Sequence, residues 1–305
     1  MDSNKQVTRS PGRRGLVRGA MVASCAVALA TAGAVPASAS APASRTVNYV
    51  ALGDSYAAGP GIPTQVDTTC ARSDQNYPSL LATAKSWQLT DVTCSGATTT
   101  ALAGPQGSKP PQLDALGADT DVVTLTIGGN DIGFSSNLAT CARLTSSDPT
   151  GNPCKTFFTS GGTDQLEQRV NDTAPKIAAA VDAIKQKAPR AKVLVVGYPD
   201  LFPEDGVGCT SSAMPLAAGD FAYLRDTEKK LNAMLASQAS ANGAGYVDTY
   251  TPTIGHDMCK PAGERWIEPL VAPAPAASAH PNAQGQQAMA TAVEHAIHCV
   301  PYRRR

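Results

Sequence analysis

Four residues spread along the chain could together attack an acyl carbon. Such chemistry needs a nucleophile, a base that removes its proton, and donors for the oxyanion that forms. The sequence offers the hydroxyl of Ser55, a glycine turn at Gly96, the amide of Asn130 and the imidazole of His280. Each of them alone could be an ordinary turn or helix-entry residue. Their occurrence together, in the order Ser, Gly, Asn, His, predicts a catalytic site.

Alternating strands and helices would bring these residues together. The β-prone runs are 47–52, 89–93, 121–127, 192–197 and 245–248. Helical patterns cover 77–87, 164–187, 221–242 and 282–298. This alternation predicts an α/β fold with one doubly wound sheet of about five parallel strands. Ser55 and Asn130 each follow a strand, at the edge where ligands of open α/β sheets bind.

Three long stretches between these elements show no regular pattern. They cover 140–162, 198–219 and 251–279, and each contains at least one cysteine. Loops of this length in a compact domain are usually functional or disordered. Because a cross-link offsets the entropy of fixing a long loop, we expect disulfide-linked loops that frame the site.

Seven cysteines follow Cys25 in the chain, namely Cys70, Cys94, Cys141, Cys154, Cys209, Cys259 and Cys299. In an exported protein they favour disulfides. Zinc is the alternative, but the sequence has neither a C-x-x-C nor an H-x-x-x-H spacing. We therefore expect neither a metal nor a cofactor. Pairing six of the seven leaves on the order of a hundred arrangements, which stay open at this point.

The N-terminal residues 1–41 have the composition of a secretory signal peptide. Arginines come first, an apolar run follows over 21–35, and Ala37-Ser38-Ala39 closes the segment. The apolar run is short for a membrane span. We therefore expect residues 42–305 to form a single secreted domain, with the general and the twin-arginine export routes both open.

The overall charge argues against one class of partner. The chain has 25 basic and 25 acidic side chains and a pI of about 6.9. A balanced charge gives no field that would attract a phosphate backbone. We expect no nucleic-acid partner, no integral membrane span and a monomer.

The same residues carry a resemblance to a known family. The segment Gly53-Asp54-Ser55, with Gly96, Asn130 and His280, resembles the blocks of the SGNH superfamily of ester hydrolases, often called GDSL lipases. Tyr56 stands where leucine is usual. The resemblance covers nearly all of the mature chain and implies a flavodoxin-like three-layer α/β/α sandwich. It also implies that Ser55 is the nucleophile and His280 the general base. The amides of Ser55 and Gly96 and the Asn130 side chain would then form the oxyanion hole.

Within that superfamily, the chain is most similar to secreted actinobacterial (Streptomyces-type) lipases and esterases with three disulfides. This resemblance implies the sequential pairs Cys70–Cys94, Cys141–Cys154 and Cys209–Cys259, with Cys299 left over. A different serine hydrolase plan, the α/β-hydrolase, uses a G-x-S-x-G elbow. That plan is disfavoured because the second glycine of the elbow is replaced by Ala57.

The carboxylate that usually orients the histidine is missing. The family pattern places Asp three residues before the histidine, and this chain has Ala277 there. The departure could mean lost activity, a carboxylate from elsewhere such as Asp248 or Asp257, or a backbone carbonyl in its place. We favour a Ser55–His280 dyad in which the main-chain carbonyl near Ala277 orients the imidazole. A carbonyl accepts but cannot donate, so it would select the tautomer with Nε2 free.

The expected reaction is hydrolysis of a carboxylic ester through an acyl-enzyme. Secretion and the family resemblance together favour acyl lipids as substrates. Apolar loop residues could line a lipophilic groove: Phe134, Phe157, Phe158, Leu201, Phe202, Trp266, Ile267 and Leu270. Two alternatives remain. A polysaccharide or small-ester deacetylase would use the same machinery, and a non-catalytic secreted binding module could retain the fold.

Overall fold

The computed structural model describes residues 45–271 and 275–299, apart from the side chain of Cys299. The predicted signal peptide, 1–41, lies outside the described residues. Within these two ranges, no helix combines the length and the apolar character needed to cross a bilayer.

A five-stranded parallel sheet forms the centre of the described chain. Two further strands form a small second sheet. In chain order the strands are β1 (Asn48–Gly53), β2 (Gln65–Asp67), β3 (Arg72–Ser73), β4 (Gln88–Asp91), β5 (Val122–Thr126), β6 (Lys192–Val196) and β7 (Gly245–Val247). The main sheet has the order β4-β1-β5-β6-β7, whereas β2 and β3 form a separate antiparallel pair. All neighbours in the main sheet are parallel, which confirms the predicted fold class.

Helices cover both faces of the sheet. They are α1 (Ser55–Ala58), α2 (Tyr77–Lys85), α3 (Thr100–Ala103), α4 (Phe134–Leu144), α5 (Pro153–Thr159), α6 (Gln165–Lys187), α7 (Asp220–Ala241) and α8 (Ala283–Cys299). Short 3₁₀ turns occur at Gln112–Ala115, Thr145–Ser147 and Thr251–Thr253. Helices α2 and α8 pack on one face of the sheet, and α6 and α7 pack on the other. The result is a three-layer α/β/α sandwich.

Strand β1 shows how the sequence builds the two cores. Side chains along a strand point alternately to opposite faces. Val50 and Leu52 join the core under α6 and α7, while Tyr49 and Ala51 join the core under α2 and α8. Both faces are buried, as in other parallel sheets, which explains why β1 is a continuous apolar run. Burying an aliphatic side chain of this size contributes about 1.5–3 kcal/mol.

The first predicted loop, 140–162, is largely helical, so this part of the prediction is wrong. It contains the end of α4 and all of α5. The Asp220 carboxylate accepts hydrogen bonds from the amides of Cys154 and Lys155, at 3.0 and 2.9 Å. The start of α5 is therefore stabilised by a residue of α7 that lies far away in sequence. Local patterning cannot show such a contact.

Three disulfides link the loops in the sequential order. The pairs are Cys70–Cys94, Cys141–Cys154 and Cys209–Cys259. They agree with the pairing that the family resemblance implied. The Cys209–Cys259 bond joins the second predicted loop to the third, which ends directly before His280.

Candidate active site

Ser55 lies at a sharp turn between β1 and α1. Strand β1 ends at Gly53, which has a φ of 146°. A Cβ atom there would lie 2.5 Å from the carbonyl oxygen of Thr126 in β5, so only glycine lets the two strands meet. Asp54 then caps α1 by accepting a hydrogen bond of 2.9 Å from the amide of Tyr56. Turn and cap together present the Ser55 side chain at the carboxyl end of β1.

The hydroxyl of Tyr198 connects this turn to the loop after β5 through two hydrogen bonds. The Tyr198 hydroxyl donates to Oδ2 of Asp54 at 2.6 Å and accepts from the amide of Gly129 at 2.8 Å. Burial raises the pKa of Asp54 to about 7, against the lowering effect of its hydrogen bonds from Tyr198 and Tyr56. The turn that carries Ser55 and the loop that carries Asn130 therefore share one buried network.

Asn130 and Gly96 lie on neighbouring turns. Nδ2 of Asn130 donates to the carbonyl of Ala97 at 2.9 Å, which anchors the residue next to Gly96. Gly96 has a φ of 80°, a left-handed conformation that favours glycine. Asn130 lines the same pocket as Ser55 and His280, whereas Gly96 is exposed beside it.

His280 contacts Ser55 directly. Its Nε2 lies 2.7 Å from Oγ of Ser55. Its Nδ1 lies 2.7 Å from the carbonyl oxygen of Ser278. Because a carbonyl only accepts, Nδ1 must carry the proton, and Nε2 is free to accept from the serine hydroxyl. Burial lowers the pKa of His280, which keeps the imidazole neutral and able to act as a base.

The orienting carbonyl is that of Ser278, so the prediction of Ala277 is wrong by one residue. The Ala277 carbonyl instead accepts the backbone amide of His280 at 3.2 Å. Between them Ala279 adopts a φ of 57°, which closes a tight turn. The turn directs the Ser278 oxygen toward the imidazole, a geometry that sequence spacing does not reveal.

The two carboxylates considered as replacements serve their own loops. Oδ1 of Asp248 accepts the amides of Tyr250 and Thr251, at 2.9 and 3.0 Å. Oδ1 of Asp257 accepts the amide of Cys259 at 2.8 Å. Neither is the hydrogen-bond partner of His280, whose Nδ1 is used by the backbone.

An apolar pocket opens beside Ser55 and His280. The apolar walls come from the β5–α4 segment, α4, α6, α7 and the segment after β6: Ile132, Leu138, Leu166, Leu201, Leu224 and Leu231. The lining suits an acyl chain, because binding pockets are typically apolar with a few oriented polar groups.

The prediction of pocket residues was right for two of the aromatic and aliphatic candidates. Phe134 and Leu201 line the pocket. Of the others, Phe158, Phe202 and Ile267 lie in the core, Leu270 packs against it, Phe157 is exposed and Trp266 stacks on His256. The pocket walls come mainly from leucines of helices, which hydrophobic patterning assigns equally well to a core.

Two contacts of the site had no signal in the sequence. Tyr198 connects to Asp54 across 144 positions. The Ser278 carbonyl is a backbone group, which no residue type announces. For Tyr56 a signal did exist, since it departs from the usual leucine.

Among the residues in the described ranges, no group of three or more His, Cys, Asp or Glu side chains could hold a metal ion.

The chain is similar to known proteins over most of its length. The GDSL-like Lipase/Acylhydrolase family matches residues 51–288. Lipase 2 of Streptomyces coelicolor is 39% identical over 92% of this chain and 96% of that protein. A lipase of Streptomyces rimosus is 32% identical over 90% of this chain and 94% of that protein.

Solved structures agree with the sequence comparison. Phospholipase A1 from Streptomyces albidoflavus superimposes with a TM-score of 0.69 and 28% identity, over 83% of this chain and all of that one. The extracellular lipase of Streptomyces rimosus gives a TM-score of 0.68 and 30% identity, over 82% of this chain and 100% of that one. With the family match covering residues 51–288, including Ser55 and His280, the chain belongs to the GDSL-like lipase/acylhydrolase family of ester hydrolases.

Proposed function

We propose that this chain hydrolyses carboxylic esters of lipid acyl chains, with Ser55 as nucleophile and His280 as general base. The observation that carries the proposal is the 2.7 Å contact between Oγ of Ser55 and Nε2 of His280 at the mouth of an apolar pocket. A hydroxyl within hydrogen-bond reach of an oriented base is the arrangement that nucleophilic catalysis requires.

The reaction proceeds in two halves. Oγ of Ser55 attacks the ester carbonyl carbon while Nε2 of His280 takes the hydroxyl proton. The imidazolium then gives this proton to the leaving alcohol, and the acyl group stays on Ser55. Water, deprotonated by the same imidazole, attacks the acyl-enzyme, and the proton returns to Ser55 as the acid leaves.

The oxyanion that forms in each half needs donors. We assign this role to the amides of Ser55 and Gly96 and to Nδ2 of Asn130. The position of Asn130 in the pocket supports its part, and the Asn130–Ala97 hydrogen bond supports the placement of the Gly96 turn beside it. Removing one such donor typically lowers kcat by about 10²- to 10³-fold. This loss corresponds to about 2.7–4 kcal/mol of transition-state stabilisation.

The Ser278 carbonyl replaces the missing carboxylate as the partner of Nδ1. In a serine protease, changing the triad Asp to Asn lowers kcat by about 10⁴-fold because the wrong tautomer is stabilised. A carbonyl avoids that loss, since it accepts in the same way as a carboxylate. What it lacks is the negative charge that stabilises the imidazolium.

Lipid acyl chains are the favoured acyl group. Six aliphatic side chains form the pocket walls, and the similar proteins are named lipase and phospholipase A1. The three disulfides and the extracellular lipase among its relatives support secretion. On this basis we propose residues 1–41 as a signal peptide and 42–305 as one secreted domain.

A panel of p-nitrophenyl esters from acetyl to palmitoyl tests the proposal, with Ser55→Ala as the inactive control. We expect turnover to rise as the acyl chain lengthens beyond acetyl and to vanish in Ser55→Ala. Turnover of acetyl esters alone would instead indicate a deacetylase. Absence of turnover with every ester would indicate a binding module and refute catalysis.

A further inference from the structure

Among the described residues, no carboxylate forms a hydrogen bond with His280, yet the imidazole needs support for its geometry and for its charge. We propose that Tyr56 supplies both: its hydroxyl positions the backbone that carries His280, and its ring stabilises the imidazolium. This inference rests on the proposed roles of Ser55 and His280. It makes Tyr56, the neighbour of the nucleophile, a positioning residue for the base.

The ring of Tyr56 lies against the imidazole. The two ring centroids are 4.9 Å apart and the planes are inclined by 32°, so the rings are tilted rather than edge-on. A cation within about 6 Å of an aromatic face is attracted by the electrons of the ring. The imidazole becomes a cation each time it takes the Ser55 proton. The Tyr56 ring therefore interacts more strongly with the reacting state than with the resting state.

A second tyrosine fixes the ring in this position. Tyr198 meets Tyr56 edge-on, with centroids 4.9 Å apart and an interplanar angle of 82°. Tyr198 is itself held by its hydrogen bonds to Asp54 and Gly129. The Tyr56 ring is thus packed between a fixed tyrosine and His280.

The Tyr56 hydroxyl holds the turn before His280. It donates to the carbonyl oxygen of Ala279 at 2.5 Å, across 223 positions of sequence. Ala279 has a φ of 57°, a conformation that costs a non-glycine residue energy and persists only when its surroundings fix it. Its amide is fixed as well, by a 3.0 Å hydrogen bond to the carbonyl of Glu268. Both peptide groups of Ala279 are therefore held, and the turn presents Ser278 to Nδ1.

The backbone of Tyr56 adds a third connection to the segment that carries the base. Its carbonyl accepts a hydrogen bond of 2.9 Å from Nε2 of Gln286, a fully buried residue of α8. Oε1 of the same side chain accepts the amide of Tyr77 at 2.7 Å. Helix α8 follows His280 directly, so Tyr56 is linked to the chain on both sides of the base.

The other titratable groups around His280 and its pocket have different partners. Glu228, which lines the pocket, accepts a hydrogen bond of 3.3 Å from the amide of Leu201. Asp54 is bonded to Tyr198 and to the amide of Tyr56. The carboxylate of Glu268 accepts hydrogen bonds from Arg265 and Asn282. Among the described residues, the imidazole forms hydrogen bonds with the Ser55 hydroxyl and the Ser278 carbonyl and packs against the Tyr56 ring.

Two substitutions separate the two parts of the proposal. Tyr56→Phe keeps the ring and removes the hydroxyl, so kcat for p-nitrophenyl butyrate should fall about five- to tenfold at unchanged KM. In the pH profile of kcat/KM, the acid limb should keep the midpoint that it has in wild type. Tyr56→Leu also removes the ring. The limb should then move to lower pH by about half a unit to one unit, because the imidazolium loses its stabilisation.

The direction of this shift is the decisive readout. If Tyr56 only filled space, its loss would expose His280 to water, and the limb would move to higher pH as the burial effect weakened. A limb that moves up or does not move in Tyr56→Leu overturns the role of the ring. An unchanged kcat in Tyr56→Phe overturns the role of the hydroxyl.

Tyr49→Phe is a matched control. Tyr49 is also fully buried and its hydroxyl shares a 2.7 Å hydrogen bond with Thr124, but it packs in the core under α2 and α8. We expect kcat and the acid limb to be unchanged in this variant, and an equal loss of kcat in both Phe variants would overturn the proposal. Wild-type protein and Ser55→Ala in the same assay separate this failure from failure of the proposed function.

Discussion

Replacing Tyr198 by Phe should weaken both the fold and the site. The variant removes one oxygen that serves two buried groups, Oδ2 of Asp54 and the amide of Gly129. A buried N–H left without a partner costs about 1–3 kcal/mol, and the lost hydrogen bond to a neutral carboxyl adds about 1 kcal/mol. We therefore expect the free energy of unfolding to fall by about 2–4 kcal/mol at pH 5.

The loss of unfolding free energy in Tyr198→Phe should increase with pH. The direction of this change follows from the ionisation of Asp54. The pKa of this residue is about 7 in the folded protein, raised by burial from its ordinary value, so the folded state becomes less stable as pH rises toward 7. The Tyr198 hydrogen bond favours the ionised form. Without it the pKa is higher still, and the variant continues to lose stability above pH 7 where wild type no longer does. The additional loss by pH 8.5 should be about 1 kcal/mol.

Urea unfolding of wild type and Tyr198→Phe at pH 5, 7 and 8.5 measures this difference. Tyr49→Phe is again the control, because its hydroxyl has a hydroxyl partner, Thr124, instead of a carboxyl group. Its loss should not depend on pH between 5 and 8.5. A loss below about 1 kcal/mol for Tyr198→Phe, or the same pH dependence in both variants, would refute the reasoning.

Other substitutions and conditions give further tests. Gly53→Ala would place a Cβ atom 2.5 Å from a backbone oxygen of β5 and should abolish activity in any folded fraction. Gly161→Ala is the control, because a Cβ atom there has no neighbouring atom within 4 Å. It should match wild type in thermal unfolding and turnover. Asn130→Ala should lower kcat by about 10²- to 10³-fold with little change in KM, as measured with p-nitrophenyl butyrate. The acid limb of kcat/KM should lie below the ordinary histidine value of about 6.5, because burial lowers the pKa of His280; a limb above that value would contradict the assignment. Replacing Cys209 and Cys259 together by alanine opens a loop with a sequence separation of 50 and should lower the free energy of unfolding by about 4 kcal/mol in guanidinium titrations.

The sequence by itself determined the architecture and the residues that meet at the candidate site. Apolar runs of strand length alternate with amphipathic helices, and this pattern is local, so the five strands were found within a few residues of their observed bounds. Ser55, Asn130 and His280 are recognisable because their chemistry depends on residue type and on position after a strand or before a helix.

Only the tertiary structure decided what supports those groups. The orienting oxygen of Ser278 belongs to the backbone, and its direction depends on the left-handed turn at Ala279. Tyr56 reaches that turn across 223 positions, and Tyr198 reaches Asp54 across 144. Hydrogen bonds between such distant residues form when strands and loops pack, and no local pattern encodes them. The sequence therefore singled out Ser55 and His280, and the packing of the chain decided which groups hold the imidazole of His280 in place.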